Sequence, residues 1–367
     1  MATRKVEAKW MENQQRWQVK VQDDGERKAF YSPIPGRKGK IEAERKADKW
    51  LESHHAKDVR FERLWDEFLE QLERSSKAGK KSENYIKHEQ MGRLWILPVV
   101  GTMRVSKITQ NHWRECVMRA YDAGKSKKTC QNIRASETAI YAYAIDKRLE
   151  MERPNVKIPK DAPVQPKTIL QPDEIKLLFR EDSIINHGKV KQCFYIYAWR
   201  FIVATGLRRG ELCGIKTSHI VGNVVHIQQA INRLGFTTPG KNSNANRAFV
   251  LSEHAKAILE DQRAMLMSKG IISPWVFPAP DGGPADPNTL YRTWKTYRQQ
   301  HSIQSNLHEL RHTLISIAKA DVPEELLKRV VGHSKSMDTF GVYGHDVQGE
   351  LDRAATILDT VFDRIFE

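Results

Sequence analysis

The sequence predicts a mainly α-helical chain with small β-sheets, an α+β fold laid out in successive domains. Three observations predict it. An alternating hydrophobic pattern is confined to the N-terminal stretch, helical periodicity dominates afterwards, and a run of prolines divides the chain near its middle.

Within residues 1–55, Trp17, Val19 and Val21 alternate with polar residues, Asp23-Asp24-Gly25 offers a turn, and Ala29-Phe30-Tyr31 returns as a second extended run. That pattern predicts a β-hairpin with one buried face. After Pro33, Pro35 and Gly36, the composition from about Ile41 to Leu51 is helical. A small basic sheet-plus-helix domain follows from these features. Residues 57–155 read as helical. Phe61, Leu64, Trp65, Phe68, Leu69 and Leu72 keep the i, i+3, i+4, i+7 spacing of a buried helix face, and a second amphipathic run covers Cys130 to Leu149. Gly79-Lys80-Lys81 and Gly124-Lys125-Ser126-Lys127-Lys128 read either as solvated basic loops or as phosphate contacts. Pro154, Pro159, Pro163, Pro166 and Pro172 forbid continuous helix, so residues 156–167 are expected to be an extended linker. Gln171-Pro172-Asp173-Glu174 then has the proline and first-turn acids of a helix start. Residues 168–345 form the third block, and 346–367 a helical tail.

Composition narrows the function. The 367 residues are 40% hydrophobic and 29% charged, with a net charge of +15 and a pI near 9.5. Such positive charge makes nucleic acid the first partner to consider, because Lys and Arg release counterions when they neutralise phosphates. No apolar run reaches the roughly 18 residues of a membrane span. The charged N-terminus lacks the apolar region of a secretory leader, so a cytoplasmic protein is expected. Cys116, Cys130, Cys193 and Cys213 have no C-x-x-C spacing, fit no zinc site and suggest reduced thiols.

Four pieces of the third block carry chemistry. Apolar Phe201-Ile202-Val203 leads into Ala204-Thr205-Gly206-Leu207-Arg208-Arg209-Gly210-Glu211-Leu212. Arg208, just past a glycine break, can face a ligand with Glu211 holding it, or form an ordinary surface ion pair. Extended runs at Val224–Ile227 and Arg247–Leu251 flank a polar tip whose single lysine is Lys241. On a hairpin tip a lysine is either solvated or able to reach into a site and deliver a proton. Leu307-His308-Glu309-Leu310-Arg311-His312-Thr313 matches the zinc-peptidase pattern H-E-x-x-H. It equally contains His308-x-x-Arg311, two cationic donors on one helix face. Finally, Gly332-His333 is followed ten residues later by Tyr343 between glycines. About 0.1% of an ordinary tyrosine is phenolate at pH 7, so Tyr343 needs clustered cations or a base to act as a nucleophile.

In this order and spacing, T-G-L-R-x-G-E-L, a hairpin lysine, H-x-L-R-H-T, G-H and a tyrosine resemble the tyrosine recombinases. Residues 168–345 carry most of the resemblance. Residues 57–155 resemble the helical, SAM-like core-binding domain of that family, and residues 1–55, more loosely, the arm-binding domain of phage and conjugative-transposon integrases. The resemblance implies a DNA strand-exchange enzyme with Arg208 and Arg311 on the non-bridging phosphate oxygens and Tyr343 as nucleophile. It implies Lys241 as acid to the leaving 5′-oxygen, His308 as base, and His333 as a hydrogen-bond donor to the phosphate. Neither metal nor nucleotide cofactor is implied. The partners implied are double-stranded DNA at core and arm sites, a homotetramer at synapsis, an excisionase and a host DNA-bending protein. The tail stripe of Leu351, Ala354, Ala355, Leu358, Val361, Phe362 and Ile365 reads either as docking on its own domain or, as in recombinases whose tails link protomers, as packing on a neighbouring protomer.

Two other readings use fewer of these residues. A zinc metallopeptidase would use His308, Glu309 and His312, with His333 or His345 as a third ligand, and leaves the positive charge and Arg208 unexplained. A non-catalytic DNA-binding regulator explains the charge but not the residue set.

Overall fold

The N-terminal alternation becomes a sheet. Val19 and Val21 are buried on one face of β2 (Arg16–Asp23), between β1 (Lys9–Met11) and β3 (Glu26–Ser32). Both pairings are antiparallel, with Trp10 opposite Trp17 and Val19 opposite Phe30. Helix α1 (Gly36–Lys57) covers that face with Ala43, Ala47 and Leu51 at i, i+4, i+8, the two alanines letting helix and sheet approach closely. The computed structural model describes residues 6–23, 26–57, 59–75, 81–164, 166–186, 188–239, 246–332 and 349–367. The chain divides into two units, Met1–Gln165 and Pro166–Glu367.

The rest of the first unit is helical. Helix α2 (Phe61–Arg74) buries Phe61, Leu64, Trp65, Phe68 and Leu69, five of the six residues whose spacing marked its buried face. Helix α3 (Glu83–Met91) is capped by the Ser82 hydroxyl and widens through a π turn, Gly92–Ile96, into α4 (Leu97–Val100). With α5 (Gln110–Asp122) and α6 (Lys127–Asp146), these helices close a core containing Trp65, Trp113, Ile133 and Ile140. The proline-rich segment is extended, as its prolines require. It does not run free, however: Val156 and Ala162 are buried, Tyr121 donates to Asp161, and Lys127 N–H donates to the Pro163 carbonyl. Apolar residues between the prolines give that stretch a surface to bury.

The second unit begins with α7 (Pro172–Arg180) and a hairpin of β4 (Ser183–Asn186) and β5 (Lys189–Gln192). Next come α8 (Ile196–Thr205) and the short α9 (Arg209–Gly214). Then β6 (Ile220–Val221), β7 (Val224–Ile227), β8 (Ala230–Ile231), β9 (Thr237–Thr238) and β10 (Arg247–Val250) form two antiparallel sheets, β10-β7-β6 and β8-β9. Four helices follow among the described residues before the tail: α10 (Glu253–Ser268), α11 (Pro287–Gln300), α12 (Leu307–Ala318) and α13 (Glu324–Val331). Helix α8 is apolar on nearly every side and packs against α10 and α12 in the centre, where Trp199 meets Trp294 and Tyr297 edge-on or tilted.

The tail forms α14 (Glu350–Phe366) and docks on its own unit, one of the two readings its apolar stripe allowed. Ala354, Leu358 and Phe362 enter the core of their own unit, with Phe362 against Phe179 and His254. The Asp359 carboxylate accepts from the backbone N–H groups of Glu253 and His254, capping the free end of α10. The predicted stripe is right; the surface it meets is within the same chain.

Candidate active site

Helix α8 stops at Gly206, whose φ of +67° is the left-handed conformation glycine adopts at helix ends. A Cβ there would lie 2.8 Å from Val331 Cγ1 and 3.1 Å from Leu314 Cδ2, so α12 and α13 can close on this turn only around a glycine. Two residues later Arg208 stands immediately before α9, at its N-cap. Its backbone N–H donates to Glu211 at 3.0 Å, and its guanidinium Nη1 donates to the same carboxylate at 2.7 Å. The ion pair foreseen in the sequence is therefore present, but it is not a surface pair, since Glu211 is only 3% exposed.

Glu211 holds a second arginine. Arg247, the first residue of β10, donates Nη1 and Nη2 to the two oxygens of Glu211 at 3.2 and 3.0 Å. Burial by itself would raise the Glu211 pKa. The hydrogen bonds and charge of Arg247, then of Arg208, outweigh it and hold the carboxyl below its ordinary range. Nothing in the local sequence marks Arg247, which reads there as an ordinary strand residue. Its pairing with Glu211 arises only when β10 folds beside α9.

The third arginine is on α12. Arg311 is 2% exposed, and its Nη1 donates to the carbonyls of Gly206 (2.7 Å) and Val331. Its Nη2 is buried without a partner among the described residues. Burial, and then the positive charge of Arg208, pull its pKa down to about 9, so it remains cationic at neutral pH. All three arginines converge on the end of α13. Val330 O accepts from Arg247 Nε, Val331 O from Arg311, and Gly332 O from Arg208 Nη2 at 2.7 Å. A helix C-terminus presents unpaired carbonyls and the negative end of its dipole, which is a natural seat for guanidinium groups.

The first turn of α12 shows what the carboxylate of H-E-x-x-H contacts. Glu309 reaches back to accept from the Asn306 backbone N–H and from the Thr168 hydroxyl, so its carboxylate caps the helix. His308 and His312 lie ring-edge to ring-face with centroids 5.1 Å apart. Among the described residues no group of three His, Cys, Asp or Glu is gathered to hold a metal ion. His308 has an exposed ring, yet the protein crowded around it, and then His312, Arg311, Lys167 and Arg208, hold its pKa below the ordinary histidine value. It is neutral at physiological pH and able to accept a proton.

Of the six expected site residues, Arg208, His308 and Arg311 are thus gathered around the junction of α8, α12 and α13. Lys241, His333 and Tyr343 lie outside the described residues. The four cysteines are all buried and free, and burial raises each thiol above its ordinary range.

Residues 168–350 match the phage integrase family. The Tn1549 transposon integrase, solved in complex with transposon right-end DNA, shares the fold with a TM-score of 0.61 at 20% identity, over 81% of this chain and 99% of that one. A lambda integrase dimer bound to a core site aligns over 95% of this chain and 99% of its own, with a TM-score of 0.57 and 15% identity. A lambda integrase tetramer on a Holliday junction aligns over 92% and 95%, with a TM-score of 0.58 and 17% identity. No curated protein is a significant match to the sequence. The chain belongs to the phage integrase family and is a tyrosine recombinase.

Proposed function

We propose that this recombinase cuts and rejoins duplex DNA through Tyr343 for the integration and excision of a mobile element. The observation that carries this reading is the convergence of Arg208 and Arg311, from separate helices, on one helix end. Both keep N–H groups to spare: Arg208 has 36% of its side chain exposed, and Arg311 Nη2 has no partner among the described residues. Two guanidinium forks can hold the two non-bridging oxygens of a phosphodiester and gain strength as charge accumulates in the phosphorane.

In this scheme the phenol oxygen of Tyr343 bonds to phosphorus and the bond to the 5′-oxygen breaks, leaving a 3′-phosphotyrosine. His308, neutral for the reasons given above, takes the phenol proton. Lys241 gives a proton to the departing 5′-oxygen, and His333 donates to the phosphate. The phosphodiester energy stays in the covalent link, and a 5′-hydroxyl from the partner strand reverses the step. Neither metal nor nucleotide takes part.

The other assignments belong to the same proposal. Residues 168–345 are the catalytic domain, 57–155 the core-binding domain and 1–55 the arm-binding domain, with 156–167 joining core-binding and catalytic domains. Four copies assemble at synapsis, as lambda integrase does on a Holliday junction. An excisionase and a host bending protein set the direction, and the enzyme works on the cytoplasmic nucleoid.

A Tyr343→Phe protein tests the reading. It should bind duplex DNA as the wild type does and form no covalent adduct, while the wild-type adduct survives EDTA. Adduct formation by the variant would refute Tyr343, and loss of the wild-type adduct in EDTA would refute the metal-free scheme.

A further inference from the structure

We infer that Arg247 is a positioning residue for strand cleavage, fixing Arg208 and the end of α13 relative to one another without itself touching DNA. The inference rests on the proposed roles of Arg208 and Arg311.

Its connections set Arg247 apart from the other two arginines. Arg208 and Arg311 each keep a guanidinium nitrogen with no bond among the described residues, whereas all three of Arg247 are bonded: Nε to Val330 O at 2.9 Å and both terminal nitrogens to Glu211. Only 8% of its side chain is exposed. A guanidinium so enclosed is badly placed for a phosphate ligand and well placed as a brace. Glu211 is saturated in turn: one oxygen accepts from Arg208 Nη1 and Arg247 Nη1, the other from Arg208 N–H and Arg247 Nη2. The direction of the Arg208 side chain therefore follows from where Arg247 holds that carboxylate.

The second contact is with Gly332, whose φ is +70°. A Cβ built there would fall 2.6 Å from Arg247 Nη1 and 2.7 Å from its Cζ, so the glycine backbone rests on the guanidinium face. Three bonds pin that guanidinium, which leaves it little freedom to move aside. Arg247 thus sets the position of the turn whose Val331 and Gly332 carbonyls orient Arg311 and Arg208. In sequence Arg247 follows within a few residues of Lys241, and Gly332 directly precedes His333. One side chain thus ties Glu211, and through it Arg208, to the end of α13.

The test compares wild type, Arg247→Ala and Arg247→Lys on a duplex enriched by covalent trapping from fragmented genomic DNA. Single-turnover adduct formation at saturating DNA, DNA affinity and thermal unfolding are measured for each. Displacing a reacting geometry by about 1 Å costs on the order of 100-fold in rate, so Arg247→Ala should slow cleavage by about that factor with affinity unchanged. Lysine cannot bridge both oxygens of Glu211, and Arg247→Lys should fall between the two while melting like the wild type. That variant decides the matter if Arg247→Ala does not fold. Wild-type cleavage by Arg247→Lys, or affinity falling in step with rate in either variant, overturns the inference. Failure of the wild type to form any adduct instead overturns the recombinase scheme on which it rests.

Discussion

Glu137, on α6 in the first unit, is fully buried, and neither carboxyl oxygen has a hydrogen-bond partner among the described residues. Burial drives its pKa from the ordinary 4.5 up to about 8, against the weaker pull of Arg134. Below pH 4.5 both folded and unfolded chains carry the proton, and the group has no effect on stability. From there to about pH 8 the unfolded chain gives the proton up and the folded chain keeps it, so folding loses about 1.4 kcal/mol for each pH unit. Above pH 8 both forms are ionised and the loss is constant. Glutamine matches the protonated acid in shape and cannot ionise. Glu137→Gln should therefore be neutral near pH 4.5 and stabilise the first unit by about 3–5 kcal/mol between pH 7 and 8.5. Scanning calorimetry of the full chain and the variant at several pH values reads this directly, because other titrations, that of His88 included, cancel in the difference. A variant whose advantage is the same at pH 5 and pH 8, or absent at pH 8, would show that Glu137 does not fold in its protonated form.

Three further outcomes follow from the second unit. Gly206→Ala places a side chain in a left-handed turn and against Val331, which should cost about 2–4 kcal/mol in denaturant unfolding and slow adduct formation through the displaced partner of Arg311; a wild-type midpoint would contradict the packing described. With His308 as base and its pKa held down, the acid limb of the adduct-formation profile should have its midpoint below about 6.5, and a limb centred above that value would remove His308 from the role. Phe362→Ala should destabilise the second unit by about 3–5 kcal/mol, with a midpoint independent of protein concentration; a concentration-dependent midpoint would restore docking of the tail on a neighbouring protomer.

The legible parts of this chain are those whose signal is local. Arg208 and Arg311 are marked by short motifs, and the stripe from Phe61 to Leu69 by a period that burial alone imposes. Arg247 is not legible, because its partner Glu211 lies on another element and the strand pattern around Arg-Ala-Phe-Val is satisfied without it. The β4–β5 hairpin escapes for a different reason: Ile185 and Val190 are exposed, so no buried face enforces an alternation. H-E-x-x-H was ambiguous because a cap and a metal base use the same carboxylate, and its capping contacts with Asn306 and Thr168 appear only in the fold. The stripe on α14 announced a buried face but not the partner, since an apolar surface carries no address.

The central claim is that one tyrosine becomes joined to DNA. Trypsin should release Ser336–Arg353 as a peptide with Tyr343 as its single tyrosine. Mass spectrometry of the trapped adduct, after nuclease and trypsin digestion, should find a nucleotide attached through its 3′-phosphate to that peptide. A nucleotide on any other peptide, or an adduct that forms normally with Ser336–Arg353 unmodified, would contradict Tyr343 as the nucleophile.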